Sequence, residues 1–178
     1  MQSEKEKYVT LYNMLFPIWI LVWLPTPLWL LIIPGNYLID RLVFTINARK
    51  QKPELEKKFF RKHTWKLFLF GFLADFIGSI LLLIPLFIPV PDGVAKHYNQ
   101  TFFGKFMNAL QFNAFSNFGA FLYTLFAIAV AGLLIYVFDR GVLMRTKEFT
   151  AEQAKRIAFW MAVITAPYLY LVPGQLFF

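Results

Sequence analysis

The sequence predicts an all-α, polytopic integral membrane protein with four transmembrane helices. Three observations lead there. Of 178 residues, 58% are hydrophobic, 20% aromatic and 16% charged, whereas a soluble domain is about half apolar and about a quarter charged. The apolar residues collect in continuous runs rather than alternating, which argues against the strands of a membrane barrel. The charges bunch into the stretches between those runs.

A spanning helix needs about 20 mostly apolar residues to cross a hydrocarbon core about 30 Å thick. Four segments meet this requirement. They lie within Leu15 to Ile39, within Leu67 to Val90, from Ala114 to Phe138, and from Ile157 to Phe178. The first is interrupted by Pro17, Pro25, Pro27 and Pro34, and proline removes a backbone donor and disfavours helix in the residue before it. Leu24-Pro25-Thr26-Pro27 reads as a kink in one tilted span. The alternative is the tip of a hairpin, giving five passes. The N-terminus carries Glu4 and Glu6 against Lys5 and Lys7. It lacks the positive region of a cleavable signal, so the first segment is expected to stay as an anchor.

A short segment occurs twice. Tyr37-Leu38-Ile39-Asp40-Arg41-Leu42-Val43 is echoed by Tyr136-Val137-Phe138-Asp139-Arg140-Gly141-Val142. Each copy closes an apolar run, and each is followed by a basic connector and another run. This predicts two repeat units, at residues 8–90 and 113–178, with connectors at 46–66 and 140–156. The units run in the same direction, which makes a parallel repeat.

Orientation follows from the cations. Arg49, Lys50, Lys52, Lys57, Lys58, Arg61, Lys62 and Lys66 lie in the first connector, and Arg140, Arg145, Lys147, Lys155 and Arg156 in the second. Between Pro91 and Phe112 there are only Lys96 and Lys105. Short cytoplasmic loops retain Lys and Arg, so both connectors are expected inside a cell membrane, with 91–112 outside. Thr150 and Gln153 have capping-box spacing, and Pro53 with Glu54 and Glu56 suits a first helical turn.

Several residues stand out as candidate sites. Asp75 lies about 13 Å beyond Lys66 at 1.5 Å per residue, where a carboxylate costs about 2.5–3.5 kcal/mol. It is the candidate proton or cation site, with a hydrogen-bonded structural acid as the plainer reading. Gly71 and Gly78 flank it at helical spacing and allow a close neighbour. Asp40-Arg41 and Asp139-Arg140 are charged pairs at the ends of spans. Arg there reaches for phosphates while Asp bonds nearby donors, so the pairs read first as structural end-stops and second as clamps for a partner, lipid headgroup or ion.

Asn113, Asn117, Ala120, Thr124, Ala127 and Ala131 recur every three or four residues. They form a small, polar seam that suits helix packing. Lys57, Lys58, Arg61 and Lys62, mixed with Phe59 and Phe60, suit an anionic lipid surface or a docking partner at about 1 kcal/mol per cation. Nucleic acid is the weaker fit, since no base-reading motif is present.

The chain has no cysteine, which excludes disulfides, thiol catalysis and cysteine metal sites. His63 and His97 fall on opposite expected sides, so no metal site is expected. No cofactor motif, catalytic motif, phosphate loop or nucleophile elbow is found, and no enzyme activity is expected. Asn99-Gln100-Thr101 matches the glycosylation sequon. The leading expectation is a membrane-embedded subunit of a transport, secretion or channel assembly, as a homo-oligomer or with partner membrane subunits. The alternative is a non-transporting interaction protein, such as an immunity, exclusion or regulatory factor. A small lipid-acting enzyme is the third.

Overall fold

Proline sets where the first described helix begins. In the computed structural model, which describes residues 19–20, 27, 29–88 and 100–174, α1 runs Trp29–Gln51. Leu30 N–H donates to Pro27 O at 3.1 Å, just before the helix. The choice between kink and hairpin at Leu24–Pro27 lies outside the described residues apart from Pro27 itself. Past Gly35 no glycine or proline occurs until Pro53, so α1 continues 12 residues beyond Ile39, where the sequence reading closed the first span. That extension is held by burial of Val43, Phe44 and Ala48.

Helix α2 covers Lys57–Leu83 and passes into a 3-10 turn, Ile84–Phe87, at Pro85. It starts later than Pro53 suggested, because Leu55 packs against the core between the turn at Pro53 and the helix. Helix α3, Phe102–Phe112, occupies the stretch expected to be a loop, capped by Thr101 Oγ1 accepting from Gly104 N–H at 3.0 Å. A 3-10 turn, Ala114–Ser116, leads to α4, Phe118–Arg145. Helix α5, Ala151–Thr165, begins at the expected capping box, with both the Thr150 and Gln153 bonds made.

Three of these helices are long and apolar enough to cross a membrane: α1, α2 with its 3-10 extension, and α4. The fourth expected span is not seen as such. Helix α5 has 15 residues, about 22 Å at 1.5 Å per residue, which is short of the hydrocarbon core. Its end has a physical cause. Ala166 precedes Pro167 and adopts an extended ψ of 151°, the conformation a following proline imposes. A 3-10 turn, Tyr168–Leu171, follows.

The helices form a ring in which α1 packs on α2, α2 on α4, α4 on α5, and α5 on α1. The two connectors meet at one end. Lys52 Nζ bonds Glu148 Oε2 at 2.5 Å, and Gln153 Nε2 donates to Gln51 O at 3.3 Å. The Glu148 carboxylate beside it pushes the Lys52 ammonium pKa up. The α1–α2 and α4–α5 hairpins therefore run in the same direction.

Around the outside, Leu30, Leu38, Leu42, Leu69, Phe126 and Leu133 are all exposed. An apolar flank of this extent suits hydrocarbon, since soluble monomers rarely carry large contiguous apolar patches.

Small residues set the closest contact in the ring. Ala120, Ala127 and Ala131 are fully buried and Thr124 nearly so. A Cβ built on Gly78 would stand 3.0 Å from Ala131 Cβ and 3.4 Å from Ala127 O. Asn113 and Asn117 do a different job from the rest of their seam. Asn113 Oδ1 accepts from Phe115 N–H, and Asn117 Oδ1 accepts from Ala120 N–H, both at 3.1 Å. They cap helical turns instead of bonding across helices.

Gly78→Ala is expected to lower stability by about 1–3 kcal/mol through overpacking. Gly141→Ala, with nothing within 4 Å of the added methyl, is expected to be neutral or to gain up to about 1 kcal/mol. Thermal unfolding of both variants in detergent checks the contrast.

Candidate functional site

Each candidate membrane span contributes one aspartate to the interior. Asp40 of α1 is 8% exposed and Asp139 of α4 is 1% exposed. Asp75 of α2 is half-buried, with its Oδ1 enclosed. Asp40 lies about 16 Å along α1 from Gln51, and Asp139 about 9 Å along α4 from Arg145. Asp40 is within electrostatic reach of both other carboxyls.

The end-stop picture of the two Asp-Arg pairs therefore needs revision. Arg41 and Arg140 point outward and are exposed, whereas their aspartates turn inward. One residue of helix rotates a side chain by about 100°, so neighbours along the chain cannot share an inner face. Among the described residues the ion pairs are Lys52–Glu148 and Arg156–Glu152, both near the connectors. None involves these three aspartates.

Donors are scarce as well. Among the described residues, neither carboxyl oxygen of Asp139 has a hydrogen-bond partner, nor does Asp75 Oδ1. Tyr170 Oη donates at 2.5 Å to the backbone carbonyl of Asp75 and not to its side chain. Thr165 of α5 stands beside the Asp40 carboxyl, and both line the same cavity. The Thr165 hydroxyl has one proton, and it is given to Met161 O at 2.9 Å.

Glycine makes this arrangement fit. A Cβ on Gly71 would stand 3.9 Å from Asp40 Oδ2, so α2 presents its thinnest point to the Asp40 carboxyl. Beside it lies a cavity of about 530 Å³ between α1, α2 and the segment that ends α5. Its polar lining comes from Asn36, Asp40, Asp75, Thr165, Tyr168 and Tyr170. The rest is apolar or aromatic, including Trp29, Phe68 and Phe72. Trp29 and Phe72 meet edge to face with centroids 5.9 Å apart. Among the described residues no three His, Asp or Glu side chains approach closely enough to hold a metal ion.

The basic cluster divides by face. Lys57, Lys58, Arg61 and Lys62 are exposed on the first turns of α2. Phe59 and Phe60 turn inward, where Phe60 meets Phe44 at 5.5 Å and Phe59 meets Phe149 at 6.0 Å. The aromatics there are core, so Lys57, Lys58, Arg61 and Lys62 are left at the surface, with the exposed Glu54 and Glu56 just before them. Of the sequon, Asn99 lies outside the described residues, and Thr101 is occupied as the cap of α3.

Three residues of the site carry a signal that the sequence reading passed over. The seam spacing continues past Ala131 through Ile135 to Asp139, in steps of four, and so already places Asp139 on the inner face. Asn36 and Asp40 fall in the same way on the face of Phe44 and Ala48. Thr165 has no such signal, because its position depends on where Pro167 ends α5. No protein-family model, curated protein or solved structure matches this chain.

Replacing a buried, unpartnered carboxyl with an apolar side chain of similar shape removes a desolvation cost of about 1–3 kcal/mol. Asp139→Leu is accordingly expected to raise the unfolding temperature in detergent. A clear drop would show that Asp139 has a stabilising partner.

Proposed function

We propose that this chain is a membrane-embedded subunit of a transport assembly that takes up and releases protons at Asp40, Asp75 and Asp139. One observation supports this above the rest. Three carboxyls stand on the inner faces of three candidate spans, and among the described residues no Lys, Arg or His is paired to them. A charged carboxylate in hydrocarbon costs about 2.5–3.5 kcal/mol even on the most lenient scale. Each group must therefore be neutralised by a proton or a bound cation, and a group neutralised reversibly can carry charge.

In this reading the membrane is the cell membrane and the connectors are cytoplasmic. The α1–α2 and α4–α5 hairpins are the two repeat units, with α5 and the turn after it as a shortened fourth membrane helix. Four thin helices leave little wall for a solute path, so further copies or partner chains complete it. The exposed cations Lys57, Lys58, Arg61 and Lys62 favour anionic lipid at the cytoplasmic face. The same surface supports the second reading, a non-transporting interaction protein that docks a partner there.

Two experiments separate these readings. The first uses liposomes holding the complex purified in mild detergent and a trapped pH-sensitive dye. An imposed pH gradient is expected to collapse with wild type. Asp75→Asn is expected to cut the rate at least tenfold, and Asp75→Glu to keep part of it. An unchanged rate in Asp75→Asn would remove the transport reading and leave the interaction protein.

The second tests orientation with single cysteines placed in the cysteine-free chain. Lys58→Cys is expected to resist an impermeant thiol label in intact cells, and Asn108→Cys to react. The reverse pattern would invert the topology.

A further inference from the structure

The cavity beside Asp40 has a chemistry of its own. Its volume of about 530 Å³ is that of a small-molecule site, which commonly measures about 300–1,000 Å³. Among the described residues, the ionisable groups in its lining are Asp40, Asp75, Tyr168 and Tyr170, with no Lys, Arg or His. An anionic ligand would meet two acids and no cation among them. Trp29, Phe68 and Phe72 add ring faces and edges, and aromatic faces attract cations within about 6 Å.

A metal ion suits the site poorly. Among the described residues no three acids or histidines gather closely enough to form a ligand set, and most of the wall is apolar. A large cation with diffuse charge needs no such set, because it loses little hydration on entry. The rim points the same way. Leu31 is 74% exposed and Leu169 is 51% exposed, and Ile39 and Ile164 beside them are exposed too. Their apolar side chains place the mouth of the cavity on the flank that would face lipid.

We propose that this cavity binds a lipophilic organic monocation entering from the membrane side, with Asp40 and Asp75 supplying the counter-charge. The inference rests on the proton-exchange reading above and adds its ligand. The exchange balances in charge: one carboxyl gives up a proton as the cation enters, and the site stays neutral. Gly71 leaves room for the Asp40 carboxyl to turn towards the cavity, and Thr165 and Asn36 offer it polar neighbours. Asp139 is not among the lining residues and takes no part in this exchange.

The test uses tetraphenylphosphonium as the cation and tetraphenylborate as its anionic counterpart of like shape. Equilibrium dialysis of the whole chain in an uncharged detergent is expected to show phosphonium binding and at least tenfold weaker borate binding. Affinity for phosphonium should fall with falling pH, by up to about tenfold per unit for one exchanged proton. About one proton should be released for each cation bound. Asp40→Asn or Asp75→Asn should weaken phosphonium binding at least tenfold.

Equal binding of the two probes, or binding indifferent to pH, would reduce the site to an apolar pocket and overturn the inference. That comparison needs only the wild-type chain, so it holds even where a variant fails to fold. If phosphonium does not bind while the Asp75-dependent collapse of a pH gradient persists, the cavity inference falls and the proton-exchange reading stands. If neither is observed, both fall.

Discussion

The cost of charge in hydrocarbon is the constraint on which the rest of this structure depends. Three carboxyls lie in the interior of a bundle whose outer surface is apolar, and most cations of the described residues gather around the two connectors. Arg41 and Arg140 sit one residue from Asp40 and Asp139, yet helical geometry turns them to the outside. Had either arginine faced inward, it would have neutralised its aspartate with a permanent partner. Among the described residues, the fold instead leaves these acids without a cationic partner.

Holding such groups inside requires helices that approach closely elsewhere. In a membrane, packing of small residues supplies much of the association that the hydrophobic effect supplies in water. Here α2 and α4 meet through Gly78, Ala127 and Ala131, with the glycine almost in contact with the alanine. The same helix α2 opens at Gly71 to admit Asp40. One glycine closes the bundle and the other, two turns away, makes room in it. The ends are fixed by polar groups that stay near the surface. Thr101, Asn117 and Thr150 cap their helices, and Lys52, Glu148, Gln51 and Gln153 tie the two connectors together.

Much of this could be read from the chain alone, and the reasons for the rest are specific. The all-helical fold, the apolar runs of α2 and α4, the capping box at Thr150 and the small face of α4 follow from local pattern. These need only the helical period and residue chemistry. The end of α5 was missed because the apolar run continues through Ala166 and Pro167, and hydropathy outvoted the proline. The start of α2 was missed because Leu55 is drawn into the core, a tertiary effect that the capping signal at Pro53 cannot register. Asp40 and Asp139 read as surface groups because each closes an apolar run, where charge is cheap. The spacing from Phe44 and Ala131 instead puts both on the inner face. The cavity had no sequence signal, because it joins three separate elements.

The central claim is that these carboxyls sit neutral in the bundle and exchange what neutralises them. Infrared difference spectroscopy of the carboxylic C=O stretch tests it most directly, comparing wild type with Asp75→Asn, Asp40→Asn and Asp139→Asn in lipid at neutral pH. A protonated carboxylic band lost in each variant, and shifted in deuterated buffer, is the expected result. Carboxylate bands alone at neutral pH, with no bound cation, would contradict the account.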